Sequence, residues 1–183
     1  YSGNPSFVWD NSWVPDQSGL KFIARIKGSD DYWYVTSEVT GVNLARSTSS
    51  VRMYKPPTLP ERAWARGDLP AVSTSYTIPS GHNVGSAGQA AYHVRTWNGE
   101  DAAREPGEGH YRRVNDNYVY SWDASTFGQN HYYDYDVVPI SVSDLQTGTN
   151  IIEFWSETVA HHGMEVLWPG PAITVRWGTP LPI

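Results

Sequence analysis

In the segment NYVYSW, residues 117–122, Tyr118, Tyr120 and Trp122 recur at every second position. If the segment is a strand, that spacing puts three rings on one face. Tyr and Trp pair an apolar body with a polar tip, so such a row can hold the C–H face of a sugar ring. Asn117 and Asp123 flank the row and could bond sugar hydroxyls. In TNIIEFWSE the same alternation turns Ile152 and Phe154 inward and leaves Glu153 and Trp155 outward. Trp97, Trp168, Tyr133 and Tyr135 add further rings, and Asn98, Arg95, His161 and His162 add polar groups. The competing reading is that these rings are the core of an aromatic-rich β protein.

Other chemistries are open to the same residue types. A glycosidase needs two carboxylates roughly 5–9 Å apart, and Asp134, Asp136, Glu153, Glu157 and Glu165 could supply a pair. A Tyr–His pair could abstract the acidic proton of a uronic acid. No spacing selects any pair, and no nucleophile elbow, phosphate-binding loop or dinucleotide fingerprint is present. His161 and His162 are adjacent, so on a strand they point to opposite faces; with His131, His93, His110 and Met164 they could still form a copper-type set. Structural calcium is the better metal candidate, with oxygen ligands in Asn115, Asp116 and Asn117, in Asp30 and Asp31, and in Asp10 and Asn11. No cofactor is required by any of these readings. Arg66-Gly67-Asp68 reads as a loop turn before it reads as an adhesion tripeptide.

Composition narrows the field. The 183 residues suffice for one domain with a real core. Nine Trp and 12 Tyr against 4 Phe exceed what one core needs, which favours a recognition surface. Thirteen Lys and Arg against 19 Asp and Glu give a formal charge of −6, which argues against a nucleic-acid partner. No basic amphipathic or long apolar segment suggests a membrane partner. The absence of cysteine excludes disulfides, thiolate-bound zinc and thiol catalysis, and leaves the compartment open.

These residues need strands to position them, and the sequence reads as all-β. Alternating runs rich in Val, Ile, Thr, Tyr and Trp include KFIARIKG, YWYVTSEV, SSVRMYK, AAYHVRTW, NYVYSW, HYYDYDVVPI, TNIIEFW, MEVLW and AITVRW. About nine strands at this spacing predict an antiparallel β-sandwich or jelly roll. The only helix-compatible piece is NGEDAAREPGEG, good for one or two turns. We read residues 1–183 as a single domain, in which 1–55 could form a separate hairpin unit or arm and 56–70 is a Pro-rich crossover.

Three segments carry a family resemblance: AAYHVRTWNGE, YDVVPISVSDLQTGTNIIEFW and GMEVLWPGPAITVRW. Together they resemble the galactose-binding-domain-like β-sandwich of many carbohydrate-binding modules, over roughly residues 70–178. The features shared are an Asn98-Gly99 turn after a strand and a later turn built on Leu145, Gly148, Asn150 and Ile152. Gly148 can take positive φ there and Asn150 can bond nearby backbone. The resemblance implies a sandwich and a non-catalytic carbohydrate-binding module of a secreted, extracellular polysaccharide-degrading protein. Its partner would be a polysaccharide or oligosaccharide, held by Trp97, Asn98, Tyr118, Tyr120, Trp122, Asp123, Trp155, His161, His162 and Trp168. The alternatives are a self-associating structural or adhesive extracellular subunit, and a small glycan-active hydrolase or lyase.

Overall fold

Strand Gly148–Ser156 shows how the protein is layered. Asn150, Ile152, Phe154 and Ser156 are buried, while Ile151, Glu153 and Trp155 face the other way. The same period-two pattern, set by the pleat of a strand, recurs across two facing sheets. The computed structural model describes residues 6–58, 64–97, 110–119, 133–157, 163–179 and 181; for His110, Tyr133, Asp134, Trp168 and Pro169 it describes the backbone alone.

Strands are numbered in chain order. One sheet runs β10 (Asn117–Tyr118), β9 (His110–Val114), β12 (Gly148–Ser156), β7 (Val72–Ile78). The other runs β11 (Tyr133–Ile140), β8 (Ala87–Trp97), β13 (Met164–Trp177), β5 (Ser50–Tyr54), and β6 (Trp64–Ala65) pairs with β13. Every pairing is antiparallel. Between the sheets lies one core: Tyr76, Ile78, Val114, Ile152 and Phe154 meet Tyr92, Val94, Ile173, Val175 and Trp177. Burying each such large side chain contributes about 1.5–3 kcal/mol. Trp177 also donates its indole N–H to the Asn83 carbonyl at 2.9 Å, pinning the 82–86 turn to the sandwich. The expected all-β antiparallel sandwich is therefore what the chain forms.

One charged pair crosses this core. Arg112 of β9 is 4% exposed and meets Asp136 of β11 at 3.0 Å. The two residues come from different sheets, so the pair ties the layers together.

Two sequence expectations change here. MEVLW and AITVRW are not separate strands but one strand, β13, paired with β8 along both halves. Leu167 pairs with Arg95 and Ala172 with His93, so β13 advances five residues where β8 advances two. The surplus forms a bulge at Trp168–Pro171, which takes both prolines out of the ladder and lets a central strand carry them. Second, part of the Pro-rich crossover is itself a strand, β6, at the edge of the sheet.

The turn expected from the family resemblance is present. Gly148 has φ +97°, and Asn150 donates to the Gln146 and Gly148 carbonyls while accepting from Gln146 N. Asn98-Gly99 and the helix-compatible segment lie outside the described residues.

Ahead of the sandwich, β1 (Gln17–Phe22) pairs with β4 (Val39–Leu44), and β2 (Arg25–Lys27) with β3 (Trp33–Val35). The second pair nests inside the first, giving a long two-stranded hairpin. No residue from Ser6 to Ser49 is buried. Tyr32, Trp33 and Tyr34 are all more than half exposed.

Candidate functional site

The outer face of the four-stranded sheet gathers an aromatic cluster. Register places Trp155 of β12 opposite Tyr111 of β9, and Glu153 opposite Arg113. Tyr118 of β10 pairs with Arg113 from the other side. Alternation turns all five outward, because their chain neighbours Arg112, Val114, Ile152 and Phe154 fill the core.

The rings form a connected group. Tyr111 and Trp155 stack with centroids 5.2 Å apart and planes at 19°, and Tyr118 meets Trp155 edge-on at 5.8 Å. The Arg113 guanidinium lies over the Trp155 ring, 5.4 Å from its centroid, which suits a cation–π contact. Arg113 Nε donates to Glu153 at 2.5 Å, and Tyr111 OH donates to Glu157 at 3.0 Å. Trp155 is half-buried by its neighbours, while Tyr118 remains 49% exposed. The surface is thus a tilted group of rings rather than one flat row, with phenol, guanidinium and carboxylate groups at its margin.

Beside Trp155 opens a groove of about 440 Å³, walled by Gly67, Leu69, Ala71, Arg113, Trp155 and Glu157. Its far wall is the loop after β6. There Arg66-Gly67-Asp68 closes a turn, with Leu69 N donating to the Arg66 carbonyl at 3.0 Å and Arg66 paired with Asp68. The tripeptide is a turn that shapes the groove.

Of the residues singled out from the sequence, Tyr118 and Trp155 come together. Trp97 does not join them: it ends β8 in the other sheet and stacks on Trp64 at 5.6 Å. Trp168 lies in the β13 bulge, also in the other sheet, and its side chain is outside the described set. Asn98, Tyr120, Trp122, Asp123, His161 and His162 lie outside the described residues.

The sequence reading missed Tyr111 and Arg113. HYRRV holds two adjacent arginines and did not look like a strand, yet Arg112 turns inward to Asp136 while Arg113 turns outward to Glu153. The signal available was the alternation of Tyr111 and Arg113 against Val114, which is buried.

The metal candidates fare differently. Met164 is fully buried and inward, whereas His93 faces outward from β8 and is bonded at both ring nitrogens, so the two cannot join in one set. Asn115 and Asp116, at φ +46° and +69°, form the two-residue turn between β9 and β10. The Asn115 amide is committed to Asp144 O, Asn150 Oδ1 and Ile151 N. Asp30 accepts from Tyr34 and Tyr32, and Asp10 from Ser12. Among the described residues no three His, Asp or Glu side chains cluster to hold a metal.

On the outer face of the five-stranded sheet is a second concavity, of about 290 Å³, with His93 and Tyr135 in its lining. His93 Nδ1 is 2.8 Å from the Tyr135 hydroxyl and Nε2 is 2.5 Å from the Thr174 hydroxyl. Burial pushes the His93 pKa down to about 4, so the ring is neutral at neutral pH.

No protein-family model and no curated protein sequence matches the chain. Among solved structures, a β-porphyranase of glycoside hydrolase family 86 from the human gut bacterium Bacteroides plebeius is similar over 91% of this chain and 30% of its own, at 14% identity and TM-score 0.46. BuGH86 in complex with neoagarooctaose is similar at the same identity and TM-score, over 29% of its length. A family 35 carbohydrate binding module from an environmental isolate aligns over 66% of this chain and 86% of its own, at 20% identity and TM-score 0.33. The chain thus spans less than a third of the two longer proteins. At these scores the likenesses stand as similarity alone.

Proposed function

We propose that the chain is a non-catalytic glycan-binding sandwich whose ligand lies along the Tyr111–Trp155–Tyr118 surface and the groove beside it. One observation carries the reading: three contiguous rings on an outer sheet face, edged by Arg113, Glu153 and Glu157, beside a groove of about 440 Å³. Rings supply the C–H stacking surface, and the charged margin supplies hydrogen bonds that orient hydroxyls. Both margin carboxylates are already engaged, Glu153 by Arg113 and Glu157 by Tyr111, an arrangement suited to fixed recognition. With acids outnumbering bases on this margin, the glycan here is a neutral oligosaccharide or polysaccharide, met outside the cell.

The test is affinity electrophoresis and calorimetry of the full chain against a panel of neutral polysaccharides and their oligomers. Trp155→Ala should weaken binding about fivefold, the equivalent of about 1 kcal/mol for one aromatic contact. Unchanged affinity in that variant sinks the proposed surface. Reducing ends or unsaturated products released during the same incubations would replace it with an enzymatic reading.

A second reading, self-association, draws on the hairpin, where Tyr32, Trp33 and Tyr34 are 71%, 56% and 55% exposed. A solution mass that rises with concentration would favour it.

A further inference from the structure

Strand β7 ends the four-stranded sheet: β12 pairs with one side of it and, among the described residues, no strand pairs with the other. The direction of its backbone groups follows from its neighbours. On the far side of β12, the Ile151 carbonyl accepts from Asn115 N at 3.0 Å, and Ile151 N donates to the Asn115 side chain at 2.8 Å. In an antiparallel ladder the N–H and C=O of one residue point to the same side. Ile151 therefore turns both groups away from β7, and its register partner Ser75 turns both away from β12. The ladder runs without a register shift from the Gly148/Ile78 pair to the Phe154/Val72 pair, so Ser73 and Thr77 do the same. Three N–H and three C=O groups thus face outward from this edge, on residues that are all exposed. No hydrogen bond from the described residues reaches them.

An unpaired row of backbone groups is a template for another strand, and edges are ordinarily blunted by charge, proline, shortness or a bulge. The other described edges are blunted in these ways. β6 and β10 have two residues each, β11 carries Asp134, Asp136 and Pro139, and β5 carries Arg52 and runs into Lys55-Pro56-Pro57. In the hairpin, β2 and β3 have three residues each, and register shifts break the β1–β4 ladder. β7 has seven residues, reads VSTSYTI, and carries no charge, no proline and no bulge.

Symmetry selects the occupant. A strand that pairs antiparallel with its own copy must present compatible groups when read backward from its centre. With Ser75 at the centre, Ser75 meets Ser75, Ser73 meets Thr77, Thr74 meets Tyr76 and Val72 meets Ile78. Hydroxyls meet hydroxyls on the outer face, and β-branched side chains meet an aromatic or aliphatic one on the core side. No like charges oppose one another there, although each chain carries a formal −6. All three outward residues fall in hydrogen-bonded pairs, so the three outward N–H groups of each copy meet the three outward carbonyls of the other and none is left over. A strand from an unrelated partner would need no such agreement.

We propose that the chain forms a twofold dimer by pairing β7 with β7 about Ser75, joining two four-stranded sheets into one of eight strands. The twofold stands perpendicular to that sheet, so both Trp155 surfaces lie on the same face. Strand spacing of about 4.8 Å and a rise of about 3.4 Å per residue set them roughly 30 Å apart. Two-point attachment to a polysaccharide then follows, a consequence that rests on the reading of the Trp155 surface, whereas the dimer itself does not.

Sedimentation equilibrium of the full chain, without glycan, from low to high micromolar concentration tests the pairing. The mass should rise from monomer to dimer and stop there, because each copy uses its open edge once. Ser75→Lys brings two cations together at the centre and should weaken association about tenfold. An unfolding temperature equal to the parent's at low concentration shows that this variant keeps the fold. The chain has no cysteine, and a hydrogen-bonded antiparallel pair sets Cα atoms about 5.5 Å apart, within reach of a disulfide. Ser75→Cys should therefore give a covalent dimer under mild oxidation, whereas Thr77→Cys, which faces Ser73 of the second copy, should not. A monomer at every concentration overturns the proposal, as does a mass that climbs past the dimer. Association left intact by Ser75→Lys, association abolished by Trp33→Ala in the hairpin, or equal cross-linking at both cysteine positions also overturns it.

Discussion

At the scale of single residues, His93 joins stability to pH. Its folded pKa is about 4, whereas the unfolded ring titrates near 6.5. Between those values the unfolded chain binds a proton that the folded chain refuses, so stability falls as pH drops through this window. Above about pH 6.5 the contribution is fully present. The ring lines a surface concavity rather than the closed core, so the loss is on the order of 2 kcal/mol rather than the full equivalent of the shift. Denaturant midpoints at pH 7 and pH 4.5 should therefore differ more in the parent than in His93→Gln. Equal differences would remove His93 as the source. Single residues were also where the sequence spoke most clearly and where it misled. Trp155 opposite Ile152 and Phe154 was legible, because an apolar–polar alternation on one strand needs no partner to interpret. Arg112 was not, since a buried guanidinium is recognisable only once Asp136 is known to face it from another sheet.

At the scale of elements, side chains in the turns hold the sheet edges in register. Asn115 is the clearest case: from the β9–β10 turn it reaches Asp144 O at 2.9 Å, Asn150 Oδ1 at 2.7 Å and Ile151 N at 2.8 Å. Its removal leaves Asn150 Oδ1, on a fully buried residue, short of one donor. Asn115→Ala should cost about 2 kcal/mol, from the lost bonds and the positive φ that alanine tolerates poorly. Chemical denaturation checks this, and a cost near zero would show the amide network to be ornamental. Gly148 and Asn150 were readable in advance because a turn's demands are local. The β9 strand was not, and neither was the continuity of β13, since a proline pair reads as a stop until a bulge is seen to carry it. The candidate site follows the same rule: Tyr118 and Trp155 were named, whereas Tyr111 and Arg113 depended on which strands lie side by side.

At the scale of the molecule, two sheets share a core and, among the described residues, a buried ion pair that links them. Arg112 is 4% exposed and the Asp136 side chain 16%, so neither charge can be left alone cheaply. Asp136→Asn should destabilise the fold by about 3 kcal/mol, because it removes the negative charge that faces the buried guanidinium between layers. Thermal unfolding measures this, and Arg112→Met combined with Asp136→Asn should recover part of the loss. No recovery in the double variant would show that the pair is not the cause. The same two-layer plan gives the molecule two outer faces of different character, a group of rings beside a groove on one and a smaller pocket lined by His93 and Tyr135 on the other.

The bulge in β13 acts on the chain as a phase shift. Before it, Met164 and Val166 point into the core; after it, Ile173, Val175 and Trp177 do. Even numbers give way to odd, so one strand changes which half of its residues it turns toward the core without leaving the sheet. Only an odd surplus can do this. Homologous chains that keep this sandwich are thus free to lengthen or shorten the WPGP stretch by two residues, but a change of one would present the tryptophan and isoleucine of the last half-strand to solvent.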